Sequence, residues 1–213
     1  MQVRPVSPER LVTELAERID ACGGAPWPRV AVDGPPAAEP AALADALVDP
    51  LRVRGRQVLR VSTWDFLRPA SLRYEHGRTD PDARYEDWLD AGALRREVLA
   101  PLSPGGSGRA LPSLWDARVD RASRAGYVEL PEGGVLLLDG ELLLGRGLPL
   151  DLTVHLWLSP GALARRTPAE EHWALPAYRR YDDEVSPQRV ADVVVRVDDP
   201  RRPAVVDRLH SAG

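Results

Sequence analysis

Short apolar runs set between longer stretches of mixed character give the chain its rhythm. Five of them, residues 29–32, 58–62, 135–139, 153–158 and 193–197, are too short for helices and rich in Val or Leu, which predicts buried parallel strands. The segments between them have the look of helices and loops. That alternation predicts an α/β fold of three layers, a central parallel sheet of about five strands with helices on both faces. Ahead of the first run, Ser7, Pro8 and Glu9 make a helix start, and Leu11, Leu15 and Ile19 carry one apolar stripe toward Cys22, Gly23 and Gly24. We therefore expect residues 1–24 to be a helical segment packed on the core and residues 25–213 a single domain.

In such sheets ligands bind beyond the carboxyl ends of the strands. The residues just after each run are thus the first candidates: Gly34, Trp64 and Asp65, Asp139 and Gly140, Ser159 and Pro160, Asp198 and Asp199. The longest irregular stretch, residues 103–134, holds a Pro-Gly-Gly-Ser-Gly run and the pair Trp115 and Asp116. Loops of that length are usually functional or mobile.

The first run leads through Asp33 and Gly34 into a turn and an alanine-rich helix, the outline of a phosphate-binding loop. Such a loop (G-x-x-x-x-G-K-[ST]) needs glycines that aim backbone N–H groups inward, a lysine for the outer phosphates and a hydroxyl for Mg²⁺. Here the eight positions read Gly34, Pro35, Pro36, Ala37, Ala38, Glu39, Pro40 and Ala41. Glu39 replaces the second glycine, Pro40 the lysine and Ala41 the hydroxyl, and three prolines have no N–H to donate. A carboxylate here opposes a triphosphate. The bland reading is a strand-to-helix turn with proline near the first helical position.

Composition narrows the picture further. All 28 basic side chains are arginines, so no lysine from elsewhere can serve the loop. A net charge of −4 and a pI near 5.6, with arginines scattered among carboxylates, give no sign of a nucleic-acid or anionic-membrane partner. Cys22 is the only cysteine, which excludes an internal disulfide. Neither a run of about 18 apolar residues nor a secretion signal is present, so the expected address is the cytoplasm. His155 falls inside a strand and reads as packed, while His76, His172 and His210 have no metal-ligand spacing. No metal site is predicted.

Beyond the second strand the chain resembles the uridine kinase family of P-loop kinases, over about residues 29–200. The likeness is carried by Asp65-Phe66-Leu67-Arg68-Pro69, Leu72-Arg73-Tyr74, Gly77-Arg78-Thr79, Tyr85-Glu86-Asp87, Ala93-Leu94-Arg95-Arg96-Glu97 and Pro101-Leu102. Residues 135–144, with Asp139 and Gly140, resemble the strand bearing the family's Walker B-like acid; residues 191–195 resemble its last strand. The resemblance implies phosphoryl transfer from ATP or GTP, with Mg²⁺, to the 5′-hydroxyl of uridine or cytidine, a reaction of positioning and charge stabilisation. It implies Asp65 and Asp139 as catalytic acids, although Trp64 stands where the family has its base. For substrate binding it implies Arg73, Tyr74, Arg78, Tyr85, Asp87, Trp115, Asp116 and Arg118. Arg165, Arg166, Arg179 and Arg180 fall in a lid-like segment, about residues 161–187.

With loop and base position both altered, the expected protein is a nucleoside- or nucleotide-binding pseudokinase with lost or weak transfer. Two alternatives stay open: an active nucleoside kinase whose arginines replace the lysine, and a ligand-free protein-interaction scaffold. Asp65 reads equally as a helix cap, Trp115 and Asp116 as core and surface, and the lid arginines as a solvated helix face.

Overall fold

The computed structural model describes residues 2–207. Among the described residues there are eleven strands and nine α-helices. The strands are β1 (Gln2–Pro5), β2 (Arg29–Asp33), β3 (Val58–Ser62), β4 (Arg109–Ala110), β5 (Trp115–Asp116), β6 (Arg121–Ala122), β7 (Val128–Glu129), β8 (Val135–Gly140), β9 (Leu152–Trp157), β10 (Val193–Arg196) and β11 (Ala204–Asp207). The helices are α1 (Pro8–Asp20), α2 (Pro40–Ala46), α3 (Val48–Val53), α4 (Ala70–Arg73), α5 (Pro81–Glu86), α6 (Ala91–Leu94), α7 (Pro160–Arg166), α8 (Leu175–Glu184) and α9 (Pro187–Val190).

Seven strands form one sheet in the order β1-β11-β10-β9-β2-β8-β3. The five expected strands are its parallel part, β3, β8, β2, β9 and β10. Two more join antiparallel at one edge: β11 pairs with β10, and β1 with β11. The expected parallel sheet of about five strands is thus present, extended to a mixed sheet of seven by these two. The added strands are four residues each and end at prolines or charges, too short for a period-2 pattern to stand out.

Both faces of the sheet are covered. Val30, Val32, Leu137, Val154 and Leu156 pack on one side with Leu11, Leu15 and Ile19 of α1 and with Ala44, Leu47 and Leu51. Ala31, Leu59, Val61, Leu136 and Leu138 pack on the other with Phe66, Leu94 and Leu99. α1 starts where Ser7 Oγ accepts from the Arg10 N–H, 3.2 Å away, and its stripe buries into the same core as the sheet. The irregular stretch contains two small antiparallel ladders, β4 with β7 and β5 with β6.

Arg29 opens β2 almost buried, and its charge is met by Asp151: Nε donates at 2.8 Å, Nη2 at 2.9 Å and the backbone N at 2.8 Å. Burial alone would push the Asp151 carboxyl up, but these bonds outweigh it and hold the group below its ordinary value. A depressed carboxyl contributes stability above its unfolded pKa, about 3.9, and loses it as the pH falls through the lower folded value. Asp151→Asn should accordingly lose stability at neutral pH and show a shallower decline below about pH 4. Urea midpoints measured across that range check this; equal slopes for the two proteins would count against it.

Candidate functional site

Strand register decides which side chains meet beneath the loop. β3 and β8 pair Ser62 with Asp139, so these two side chains share a face, and Arg60, two residues earlier on β3, shares it too. Asp139 is buried; Arg60 Nη2 donates to its Oδ1 at 2.8 Å and Ser62 Oγ to its Oδ2 at 3.0 Å. Arg60 also donates to the Leu137 carbonyl at 3.0 Å and to Asp45 Oδ1 of α2 at 2.9 Å. The acid that the resemblance implies as Walker B-like and catalytic is thus already committed to a guanidinium and a hydroxyl. With alanine at position 41, the residues present do not fit Mg²⁺.

The loop itself is closed on its own backbone. Gly34 N–H donates to Gly140 O at 3.0 Å, Ala38 N–H to Pro35 O at 2.8 Å and Glu39 N–H to Pro36 O at 2.9 Å. With no N–H on Pro35, Pro36 and Pro40, few donors are left to face a phosphate. Glu39 takes the left-handed conformation (φ 59°, ψ 50°) that glycine occupies without strain. Its carboxylate, 65% exposed, lies 3.6 Å from Arg166 of α7. A partly exposed ion pair therefore links the loop to α7. Gly140, by contrast, is a glycine by close packing: a Cβ there would lie 2.0 Å from Thr63 Oγ1.

Two clefts flank Trp64, a residue 41% exposed. One, of about 360 Å³, runs along the loop and is walled by Pro36, Pro40, Ala41, Trp64, Asp139 and Glu141 among others. The other, of about 420 Å³, is lined by Trp64, Asp65, Ser113, Asp116, Ala117, Arg118 and Ser123. In the second cleft burial pushes the Asp65 carboxyl up, aided by Asp139 and Asp116, against a 3.2 Å hydrogen bond from Ser113 Oγ. It offers carboxylates, hydroxyls and an indole edge, the equipment for a polyhydroxylated ligand with a flat ring.

The structure brings Asp65, Asp116 and Arg118 to that cleft, with Trp115 beside it donating its Nε1–H to Asp120 at 3.1 Å. Gly34, Pro36, Glu39, Pro40, Ala41 and Asp139 line the loop cleft. The other proposed substrate residues lie outside both clefts. Arg73 is buried, donating to Arg68 O at 2.7 Å and stacked on Tyr74 and Trp88; Arg78 covers Tyr74 from outside. Tyr85 packs against Tyr181 and Arg180, and Asp87 meets Arg68 at 3.4 Å. Of the lid arginines only Arg166 reaches the loop; Arg165 and Arg179 are exposed, and Arg180 is held by Asp82, Glu86 and Glu184. The lid-like segment is packed down, with Tyr178 and Tyr181 of α8 buried. His210 lies outside the described residues.

Sequence reasoning missed Arg60 and Ser62, although their alternation along β3 placed both on the Asp139 face. It also missed the partnership of Asp33 and His155, which β2 and β9 pair directly; His155 Nδ1 is 2.7 Å from Asp33 Oδ2. Among the described residues no helix is long and apolar enough to cross a membrane.

Solved structures share this architecture. One described as a possible uridine kinase from Bacillus stearothermophilus superposes with a TM-score of 0.71 at 22% identity, over 87% of this chain and 97% of that one. A candidate fructose transport system kinase from Silicibacter sp. TM1040 gives 0.62 at 18%, over 84% and 96%. D-glycerate 3-kinase from Cryptococcus neoformans gives 0.51 at 17%, over 83% and 78%. The chain has the P-loop kinase fold. No family model and no curated protein matches its sequence. Likeness at these identities is one of fold, and function rests on the site.

Proposed function

We propose that the protein binds a nucleoside or nucleotide on a uridine kinase-like fold and has lost, or kept only weakly, ATP-dependent phosphoryl transfer. The observation that supports this best is Glu39, a carboxylate at the loop's glycine position, paired with Arg166 where a phosphate would need cations. A like charge about 4 Å away costs roughly 1 kcal/mol in water and about 4 kcal/mol at an effective dielectric of 20. Exposure of Glu39 puts its effect between these limits. Asp139, bound to Arg60, adds to the case, and the cleft beside Asp65 and Asp116 supplies the pocket for the nucleoside.

Calorimetry tests the reading. Mg·ATP should give no measurable binding, with or without uridine, while uridine alone should raise the melting temperature. Restoring the loop with Glu39→Gly, Pro40→Lys and Ala41→Ser should bring Mg·ATP binding back. Micromolar binding of Mg·ATP to the unmodified protein would overturn the proposal. Arg166 and Arg60 beside the loop favour a second reading, an active kinase using arginines; ATP turnover with uridine that disappears in Asp139→Asn would support it. A protein stabilised by neither ligand would point to the scaffold.

A further inference from the structure

The cleft that runs along the altered loop has largely apolar walls, supplied by Pro36, Pro40, Ala41, Ala42 and Trp64. Its volume, about 360 Å³, is that of a pocket for a small organic molecule. Four polar side chains reach it: Glu39, Asp139, Glu141 and Ser62. Among the described residues that line it there is no arginine, lysine or histidine. The groove is therefore apolar with carboxylates at its edges, the reverse of a phosphate cradle.

What the polar groups offer is acceptors. The Glu39 carboxylate takes no hydrogen bond among the described residues, and the Arg166 guanidinium stands 3.6 Å from it. Asp139 accepts from Arg60 and Ser62, and Glu141 from Arg84 and Tyr178. A carboxylate has about four acceptor sites, so both keep some open. Arg60 is itself shared with Asp45. Against these stand the N–H groups of Ala41 and Ala42, which the first turn of α2 leaves without helical acceptors. Two neutral donors beside three carboxylates do not favour an anion. A ligand that fits brings hydrogens to donate, positive charge and an apolar body.

We propose that this cleft binds a small organic ammonium ion, its charge toward Glu39 and its apolar part against Trp64, Pro36 and Pro40. An indole suits both halves of such a ligand, since it attracts a cation and also covers apolar surface. Glu39, which opposes a triphosphate, then selects the ligand, and Arg166 is the internal cation with which the ligand competes. Its binding is independent of whatever fills the cleft beside Asp65.

Benzylammonium, benzyl alcohol and benzoate share one ring and differ in charge, so titrating each at neutral pH while following the tryptophan indole N–H signals by NMR is the test. The Trp64 signal is the one that Trp64→Phe removes. Benzylammonium should shift it saturably, in the millimolar range expected of so small a ligand, and the alcohol and the anion should not. Glu39→Gln should weaken benzylammonium binding about threefold, the effect of one partly exposed charge. Arg166→Met, which frees Glu39, should strengthen it by a similar factor, whereas Arg165→Met, the same charge change on an exposed neighbour, should leave it unchanged. No saturable shift with benzylammonium, an equal response to either of the other two, an affinity that Glu39→Gln leaves as it was, or one that Arg165→Met raises as much as Arg166→Met would overturn the proposal.

Discussion

Asp33→Ala is expected to destabilise the protein by about 3–5 kcal/mol, the cost of orphaning several buried donors at once. Asp33 ends β2 fully buried, and three groups meet its carboxylate. Leu143 N–H donates to Oδ1 at 2.9 Å, Tyr181 Oη–H to Oδ2 at 3.0 Å, and His155 Nδ1 lies 2.7 Å from Oδ2. An ionised carboxylate only accepts, so Nδ1 carries the hydrogen. Burial pushes the Tyr181 phenol far up, and the negative charge of Asp33 adds to this, which keeps the phenol a donor. Tyr181 Oη accepts in turn from Leu144 N–H at 2.9 Å. One carboxylate thus ties β2, β9, the turn after β8 and helix α8 together.

Removing it leaves three donors in a dry interior with nothing to accept them. For a domain of this size the melting temperature should fall by about 6–20 °C. Tyr181→Phe, which breaks one arm of the cluster and leaves the carboxylate, should cost less, about 1–3 kcal/mol. Chemical denaturation of both variants measures the order. A cost for Asp33→Ala below that of Tyr181→Phe would show that the cluster does not hold the sheet to α8.

What could be read from the sequence followed from local pattern. Val30 and Val32 against Ala31, or Leu59 and Val61 against Val58, Arg60 and Ser62, are facts of alternation, and the sheet obeys them. The altered loop was equally plain, because the chemistry of Glu39, Pro40 and Ala41 does not depend on their neighbours in space. What the sequence withheld were pairings across long intervals. Asp33 meets His155 and Tyr181, Glu39 meets Arg166, and Arg84 meets Glu141, Trp173 and Tyr178, each partnership fixed by strand order and by where α7 and α8 land. The substrate residues drawn from short motifs divided for the same reason. Asp65 and Asp116 share a cleft because Ser113 and β5 fold back on the end of β3, whereas Arg73 and Tyr85 spend their side chains on packing.

Arg60→Met should cost about 3–5 kcal/mol, the price of stranding a buried charge. Asp139 has a side chain only 2% exposed, and without Arg60 its one remaining side-chain partner among the described residues is the Ser62 hydroxyl. Arg60, on an edge strand and 23% exposed, retains some contact with water, so the charge pair is asymmetric: the carboxylate depends on the guanidinium more than the reverse. The double variant Arg60→Met with Asp139→Leu removes both charges and replaces them by apolar groups, and it should recover most of the loss. A double-mutant cycle by urea denaturation reads the coupling directly. Independent, additive costs would mean that Arg60 is a surface residue near Asp139 and nothing more. A large coupling would mean that the buried Asp139 carboxylate, brought beside Arg60 and Ser62 by the pairing of β3 with β8, depends on that one guanidinium for its charge balance.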